Sequence, residues 1–150
     1  RVSEAGVRGL IVPDLPFDQD EGLSALCEQY GLYCVPVAAP SMSSQRLELL
    51  GSKKYPFVYA ALRAGITGQE TMIDEHTLSF IEVTGKSGSA VLGGFGIRNG
   101  TQVALLAPHV HTVVAGSVFV NLVREKAPRG ADAVRQAVRE KAAELTSGKI

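Results

Sequence analysis

The sequence predicts an α/β fold built on a parallel sheet, and three features of the chain point to it. Short β-rich runs recur at Arg8 to Val12, Tyr33 to Val37, Phe57 to Leu62, Ala90 to Gly93 and Thr112 to Ala115. Each is apolar nearly throughout, as a strand buried on both faces should be, instead of alternating. Segments with helical period lie between them, and five strand–helix units in succession imply parallel pairing. Five such units suit a doubly wound sheet or the last five of eight units in a barrel. Periodicity alone leaves both open.

The helices follow in order. Asp18 and Glu21 have capping-box spacing, and Leu23, Leu26, Cys27 and Tyr30 then fall on one helical face before Gly31 stops the helix. Ser43 or Ser44 can cap a second helix carrying Leu47, Leu49 and Leu50, stopped at Gly51. Leu78, Phe80 and Ile81 mark a third, ending near Gly85. Asn99 can cap a short fourth with Val103, Leu105 and Leu106, and Val118 to Glu125 is a further helical stretch. The last helix has the clearest stripe, Ala131, Val134, Val138, Ala142 and Leu145, with Gly148 as its stop.

A length of 150 residues suits one domain, residues 1–150, with a real core. A complete eight-unit barrel takes about 250 residues. The opening Arg1 to Gly6 reads as the tail of a helix and a glycine stop, so the chain is expected to begin inside a domain. Fifteen Lys and Arg balance fifteen Asp and Glu, which leaves no global field to draw in nucleic acid or anionic lipid. No apolar run approaches the roughly 18 residues that span a bilayer. A phosphate ligand would therefore have to be held by local geometry. Cys27 and Cys34 fit no metal-binding spacing and read as free thiols in a reducing compartment.

In both architectures sites form at the C-terminal ends of the strands. The fourth strand runs into Gly93-Gly94-Phe95-Gly96-Ile97-Arg98-Asn99-Gly100, and the fifth into Ala115-Gly116-Ser117, each leading to a helix. Glycine lets backbone approach an anion closely, and the N–H groups that open a helix point toward it. Two such turns after consecutive late strands suit a phosphate site, to which Ser117 adds a hydroxyl. The alternative is that these glycines only make tight turns. A dinucleotide fingerprint fits poorly, because Gly94-x-Gly96-x-x-x-Gly100 is a residue too long and the next strand does not end in an acidic residue.

The third strand ends in a Gly65-Ile66-Thr67-Gly68 run that suggests either a loop able to close over a ligand, with Thr67 and Gly68 as donors, or a simple surface loop. The first ends in Pro13-Asp14-Leu15-Pro16, where Asp14 could orient a catalytic group or cap the next turn. Arg63 could meet phosphate or an acidic neighbour. His109 and His111 precede a strand at its non-catalytic end and have no third metal ligand nearby.

The runs Gly9 to Pro16, Leu62 to Gly68, Gly93 to Ile97 and Ala115 to Ser117 together resemble the alpha subunit of tryptophan synthase, in that family's order. The resemblance covers essentially the whole chain. It implies a TIM (β/α)8 barrel, here incomplete with about five βα units that correspond to strands four to eight. It also implies cleavage of indole-3-glycerol phosphate to indole and glyceraldehyde 3-phosphate. By the same resemblance the substrate phosphate is held at Gly68, Gly96, Gly116 and Ser117 with Phe95 beside them. Ile11 and Val37 line the indole pocket, Thr67 sits on the closing loop, Tyr59 lies near the indole, and Asp14 lies near the partner interface. The main acid–base carboxylates fall on strand two and the loop after it, outside this chain, which alone would be inactive. Ala64 departs from a serine common in the family.

The implied partner is the tryptophan synthase beta subunit in an alpha2beta2 heterotetramer. That subunit carries the pyridoxal phosphate, and no cofactor or metal is expected in this chain. The implied location is cytoplasmic. Two competing functions are another phosphate-sugar barrel, such as an epimerase or indole-glycerol-phosphate synthase, and a noncatalytic alpha-like module that binds a partner. A barrel lacking three strands would expose two sheet edges, so the chain alone is expected to fold poorly or associate.

Overall fold

The computed structural model describes residues 1–62 and 72–147. Its strands are β1 (Gly9–Leu10), β2 (Tyr33–Cys34), β3 (Val37–Ala38), β4 (Phe57–Ala61), β5 (Ala90–Gly94) and β6 (Thr112–Val114). Its helices are α1 (Leu23–Gln29), α2 (Ser44–Ser52), α3 (Glu75–Gly85), α4 (Gly100–Leu106), α5 (Ser117–Lys126) and α6 (Ala131–Ser147), with a 3-10 turn at Ala127–Arg129 between the last two. Every strand pair is parallel: β1 with β2, and β3, β4, β5 and β6 in that order.

The second strand of the sequence reading is split, and Pro36 explains it. Tyr33 and Val35 donate their N–H groups to Arg8 and Leu10, on the β1 side. The Pro36 carbonyl accepts from Tyr59 on the β4 side. In a parallel ladder a residue's N–H and C=O point the same way, so the N–H that Pro36 lacks is one that β4 would have received. The ladder to β4 therefore starts only at Val37, and one continuous segment, Tyr33 to Ala38, serves a neighbour on each side. The first strand is also shorter than expected: Ile11 and Val12 lie beyond β1 and are exposed.

The core lies on one face of the sheet. Ala38, Val58, Ala60 and Val91 point toward the helices and are 0 to 4% exposed, packed with Leu50, Phe80, Ile81, Val103, Leu106 and Leu145. Fully burying a branched aliphatic side chain contributes about 1.5–3 kcal/mol, so this layer is the main stabilising element. The opposite face presents two rows. Register sets Val37, Tyr59, Leu92 and Thr112 side by side, and then Ala61, Gly94 and Val114 one step nearer the strand ends. Val37, Tyr59, Leu92 and Val114 on this face are only partly buried.

The helix starts follow their caps. The Ser43 hydroxyl accepts from Arg46 N–H at 3.3 Å and opens α2, and the Asp74 side chain accepts from Thr77 N–H and opens α3. At α1 the expected cap is corrected. Asp20, not Asp18, takes the N–H groups of Gly22 and Ser24, because Asp18 is engaged by Arg46 in two hydrogen bonds of 2.8 and 2.9 Å. Of the expected α1 stripe only Cys27 is buried, while Leu26 and Tyr30 are more than half exposed. Leu49 on α2 and Leu105 on α4 are likewise exposed, and α2 continues through Gly51 to Ser52. The α6 stripe holds except at Ala131, which is exposed: Val134, Val138 and Ala142 are partly buried and Leu145 is buried, where α6 packs on α4 and α5. The expected stop at Gly148 lies outside the described residues.

Candidate functional site at the strand ends

β5 and β6 bring the two glycine turns together. Gly94 pairs with Val114, so Phe95–Gly96 and Ala115–Gly116 leave adjacent strands at the same level. After β5 the chain makes an unusual passage, with Phe95 at φ 103° and Gly96 at φ 79°. A bulky residue at positive φ is strained by about 1–3 kcal/mol and needs its surroundings to hold it. Gln102, only 5% exposed, is part of that support. Its side-chain oxygen accepts from Arg98 N–H at 2.7 Å and Asn99 N–H at 3.3 Å, and its amide donates to the Gly96 carbonyl at 3.5 Å. The Asn99 side-chain oxygen in turn accepts from Gln102 N–H at 2.9 Å and completes a capping box for α4. Lys141 on α6 reaches the Arg98 carbonyl from the other side at 3.4 Å.

After β6, Gly116 precedes α5, and its carbonyl accepts from Phe119 and Val120. The N–H groups of Ser117 and Val118 belong to the helix's first turn, where no intrahelical acceptor exists and an anion can be received. A Cβ built on Gly116 meets nothing within 4 Å, which leaves the backbone open to close approach. Ser117 itself is partly buried.

Tyr59 extends toward these turns. It pairs with Leu92 but leans a row further along, so that its hydroxyl stands over Gly94. Burial alone raises the Tyr59 pKa above the ordinary tyrosine value, so the hydroxyl stays protonated at neutral pH. Val37 is its direct neighbour on β3. Ile11 and Asp14 stand apart. Both are exposed beyond β1, separated from β4 by the intervening strand, with Asp14 in a turn closed by Leu15 N–H on the Val12 carbonyl. Thr67 and Gly68, with Arg63 and Ala64, lie outside the described residues. The structure thus brings Tyr59, Val37, Phe95, Gly96, Gly116 and Ser117 to one end of one sheet face.

Sequence reasoning missed Gln102 and Phe17. The Asn99-x-x-Gln102 spacing was a readable capping-box signal. Phe17 is 6% exposed in the core, and its ring lies 5.7 Å beneath the Arg46 guanidinium, a contact with no short-range signature. Among the described residues no three His, Cys, Asp or Glu side chains converge as a metal group, and no helix is long and apolar enough to cross a membrane. His109 and His111 are exposed. Two concavities are also present: one of about 810 Å³ between α4, β6 and α6, which reaches Ala115, and one of about 600 Å³ beside α1.

Comparison with known proteins gives a consistent likeness. The family model described as tryptophan synthase alpha chain matches residues 1–148. The chain is 37% identical over 123 residues to the tryptophan synthase alpha chain of Helicobacter hepaticus, covering 81% of this chain and 46% of that protein. It is 32% identical over 153 residues to that of Natronomonas pharaonis, covering 100% of this chain and 55% of the other. Among solved structures, it superposes on tryptophan synthase from M. tuberculosis, in an open form with BRD0059 bound, with TM-score 0.77 and 28% identity over 98% of this chain and 52% of that one. The tryptophan synthase complex from Pyrococcus furiosus gives TM-score 0.77 and 25% identity, over 97% and 57%. The chain spans about half the length of the relatives it matches. Its parallel strands and outer helices make it a partial (β/α)8 barrel.

Proposed function

Because the chain belongs to the tryptophan synthase alpha chain family, we propose that the protein it forms part of cleaves indole-3-glycerol phosphate to indole and glyceraldehyde 3-phosphate. On this reading residues 1–150 are the C-terminal portion of a single barrel domain. They supply the phosphate site and one wall of the indole pocket.

The observation that supports this most is the level junction of the Phe95–Gly96 and Ala115–Gly116 turns under the Tyr59 hydroxyl. Backbone N–H groups from the Gly96 turn and the first turn of α5, with the Ser117 hydroxyl, would hold the phosphate, and Gly68 would close over it with Thr67. Val37 would flank the indole beside Tyr59, and Ile11 would bound it from the far side of the intervening strand. Anchoring the phosphate fixes the glycerol chain along the strand ends, so that binding energy far from the breaking C–C bond serves to orient it. Cleavage needs a proton delivered to indole C3 and protons removed from the indole N–H and the glycerol hydroxyl. Tyr59, protonated at neutral pH, orients and donates a hydrogen bond in this scheme. The carboxylates that move the protons would belong to the rest of the barrel, so residues 1–150 would supply phosphate binding within it and not the proton transfers. Asp14 would lie toward the beta subunit of an alpha2beta2 assembly, and the pyridoxal phosphate would sit on that partner. The proposal includes a cytoplasmic location, where a membrane-impermeant phosphate ester is retained.

Calorimetric titration of the complete protein with glyceraldehyde 3-phosphate tests the site. Gly116→Ala has room for its methyl in the fold and places it where the phosphate would approach. It is expected to leave stability unchanged and weaken binding about tenfold, roughly 1.4 kcal/mol. Unchanged affinity would move the phosphate elsewhere. The family membership and the four motifs disfavour the epimerase and synthase readings. A full-length protein that binds the ester and cleaves nothing would favour the noncatalytic module.

A further inference from the structure

Helix α1 and the strand after it carry the two cysteines of this chain, and the fold turns them toward each other. Gly31, at φ 65°, reverses the chain between them, and Leu32 N–H closes the turn on the Cys27 carbonyl at 2.8 Å. Cys27 occupies the buried side of α1 at 2% exposure. Ser24 precedes it by one turn and shares that side of the helix. The Cys34 Sγ lies 3.7 Å from the Ser24 Oγ, so the sulfur on β2 rests against the helix face that holds Cys27. In agreement, burial first and then the neighbouring Cys34 raise the pKa of the Cys27 thiol.

Access is asymmetric. Cys34 is half-buried and lines the 600 Å³ concavity beside α1, whose wall also includes Ser24, Lys53 and Tyr55. Cys27 does not line it. Neither cysteine belongs to the strand-end site. One thiol can thus meet a solute while the other waits behind it, the arrangement of an attacking and a resolving cysteine.

We propose that Cys27 and Cys34 are a redox pair that closes to an intrachain disulfide on meeting a small-molecule disulfide such as glutathione disulfide. The Cys34 thiolate attacks one sulfur of that disulfide, the S–S bond breaks, and one glutathione leaves as its thiolate. Cys27 then attacks the Cys34 sulfur and expels the second glutathione, which takes up the Cys27 proton. The two cysteines together lose two electrons and two protons, and the small disulfide is reduced to two thiols.

The test is to incubate the complete protein with glutathione disulfide, block free thiols with N-ethylmaleimide in denaturant, and digest without reduction. Trypsin leaves both cysteines in one segment, Gly9 to Arg46. The expected product is that segment unblocked and about 2 Da lighter than its dithiol form. Further cleavage after Glu28 should leave its two halves joined. The Cys27→Ser protein should accumulate glutathione on Cys34, and the Cys34→Ser protein should keep a blockable Cys27. Two blocked cysteines in the wild-type segment would overturn the proposal, and so would a stable glutathione adduct on Cys34 beside a blocked Cys27.

Discussion

The Tyr59 hydroxyl stands 2.5 Å from the point where a Cβ on Gly94 would lie. The same point is 2.9 Å from the Val114 Cβ and carbonyl oxygen on the other flanking strand. Gly94 is therefore the gap through which Tyr59 reaches the strand ends. Substituting it tests whether sheet and site are coupled. Gly94→Ala should cost about 1–3 kcal/mol of stability by overpacking, since the Val114 backbone cannot yield as a flexible side chain can. Urea unfolding measures that cost. The Tyr59 hydroxyl should also be displaced, with substrate turnover falling more than phosphate affinity.

Gln102 connects the Gly96 turn to α4 with bonds in both directions. Gln102→Ala would strip acceptors from two part-buried N–H groups and should destabilise by about 1–3 kcal/mol. Gln102→Glu keeps the acceptor but loses the donor to Gly96 and adds negative charge near the anion site. It should fold better than the alanine variant yet bind glyceraldehyde 3-phosphate more weakly than wild type, by calorimetry. Equal affinity in wild type and Gln102→Glu would separate this turn from the phosphate.

Acid stability follows from three aspartates. The Arg46 hydrogen bond lowers the Asp18 pKa, the Ser24 hydroxyl lowers that of Asp20, and the Thr77 backbone N–H lowers that of Asp74. A carboxylate whose pKa is lower folded than unfolded stabilises fully above its unfolded value, and the effect is lost as pH falls through the folded one. Stability should therefore decline below the ordinary aspartate range. Asp74→Asn retains a cap acceptor without a titrating charge, so its urea midpoints should fall less steeply over that window. An unchanged slope would remove Asp74 from the acid response.

Local signals carried most of the fold. Ser43 and Asn99 were readable as caps because a cap acts over three residues, and the apolar runs located all five strand regions. Other features depended on distant partners. Asp18 was the expected cap at α1, but Arg46, 28 residues away, engages it and Asp20 takes the helix N–H groups instead. The break at Pro36 was written in the sequence, but only the strand's use of both neighbours makes the missing N–H matter. Leu26 and Tyr30 have helical period with Cys27 and yet face solvent, because periodicity defines a stripe and not what covers it. Within the site, the glycine turns were legible from their position after strands. The positive φ of Phe95 and the reach of Tyr59 across to Gly94 arise from strand register, which no single segment encodes.

Indole release from indole-3-glycerol phosphate by the complete protein, with and without its beta partner, is the decisive measurement for the proposed lyase activity. Gly96→Asp should abolish it, since φ 79° disfavours any side chain and the carboxylate would repel the phosphate. Gly116→Asp, at a position with open space and negative φ, should abolish it without strain. Indole formation is expected to rise with the partner and to be lost in both variants while their folds persist. Folded wild-type protein that binds the phosphate ester but releases no indole in either condition would contradict the lyase activity.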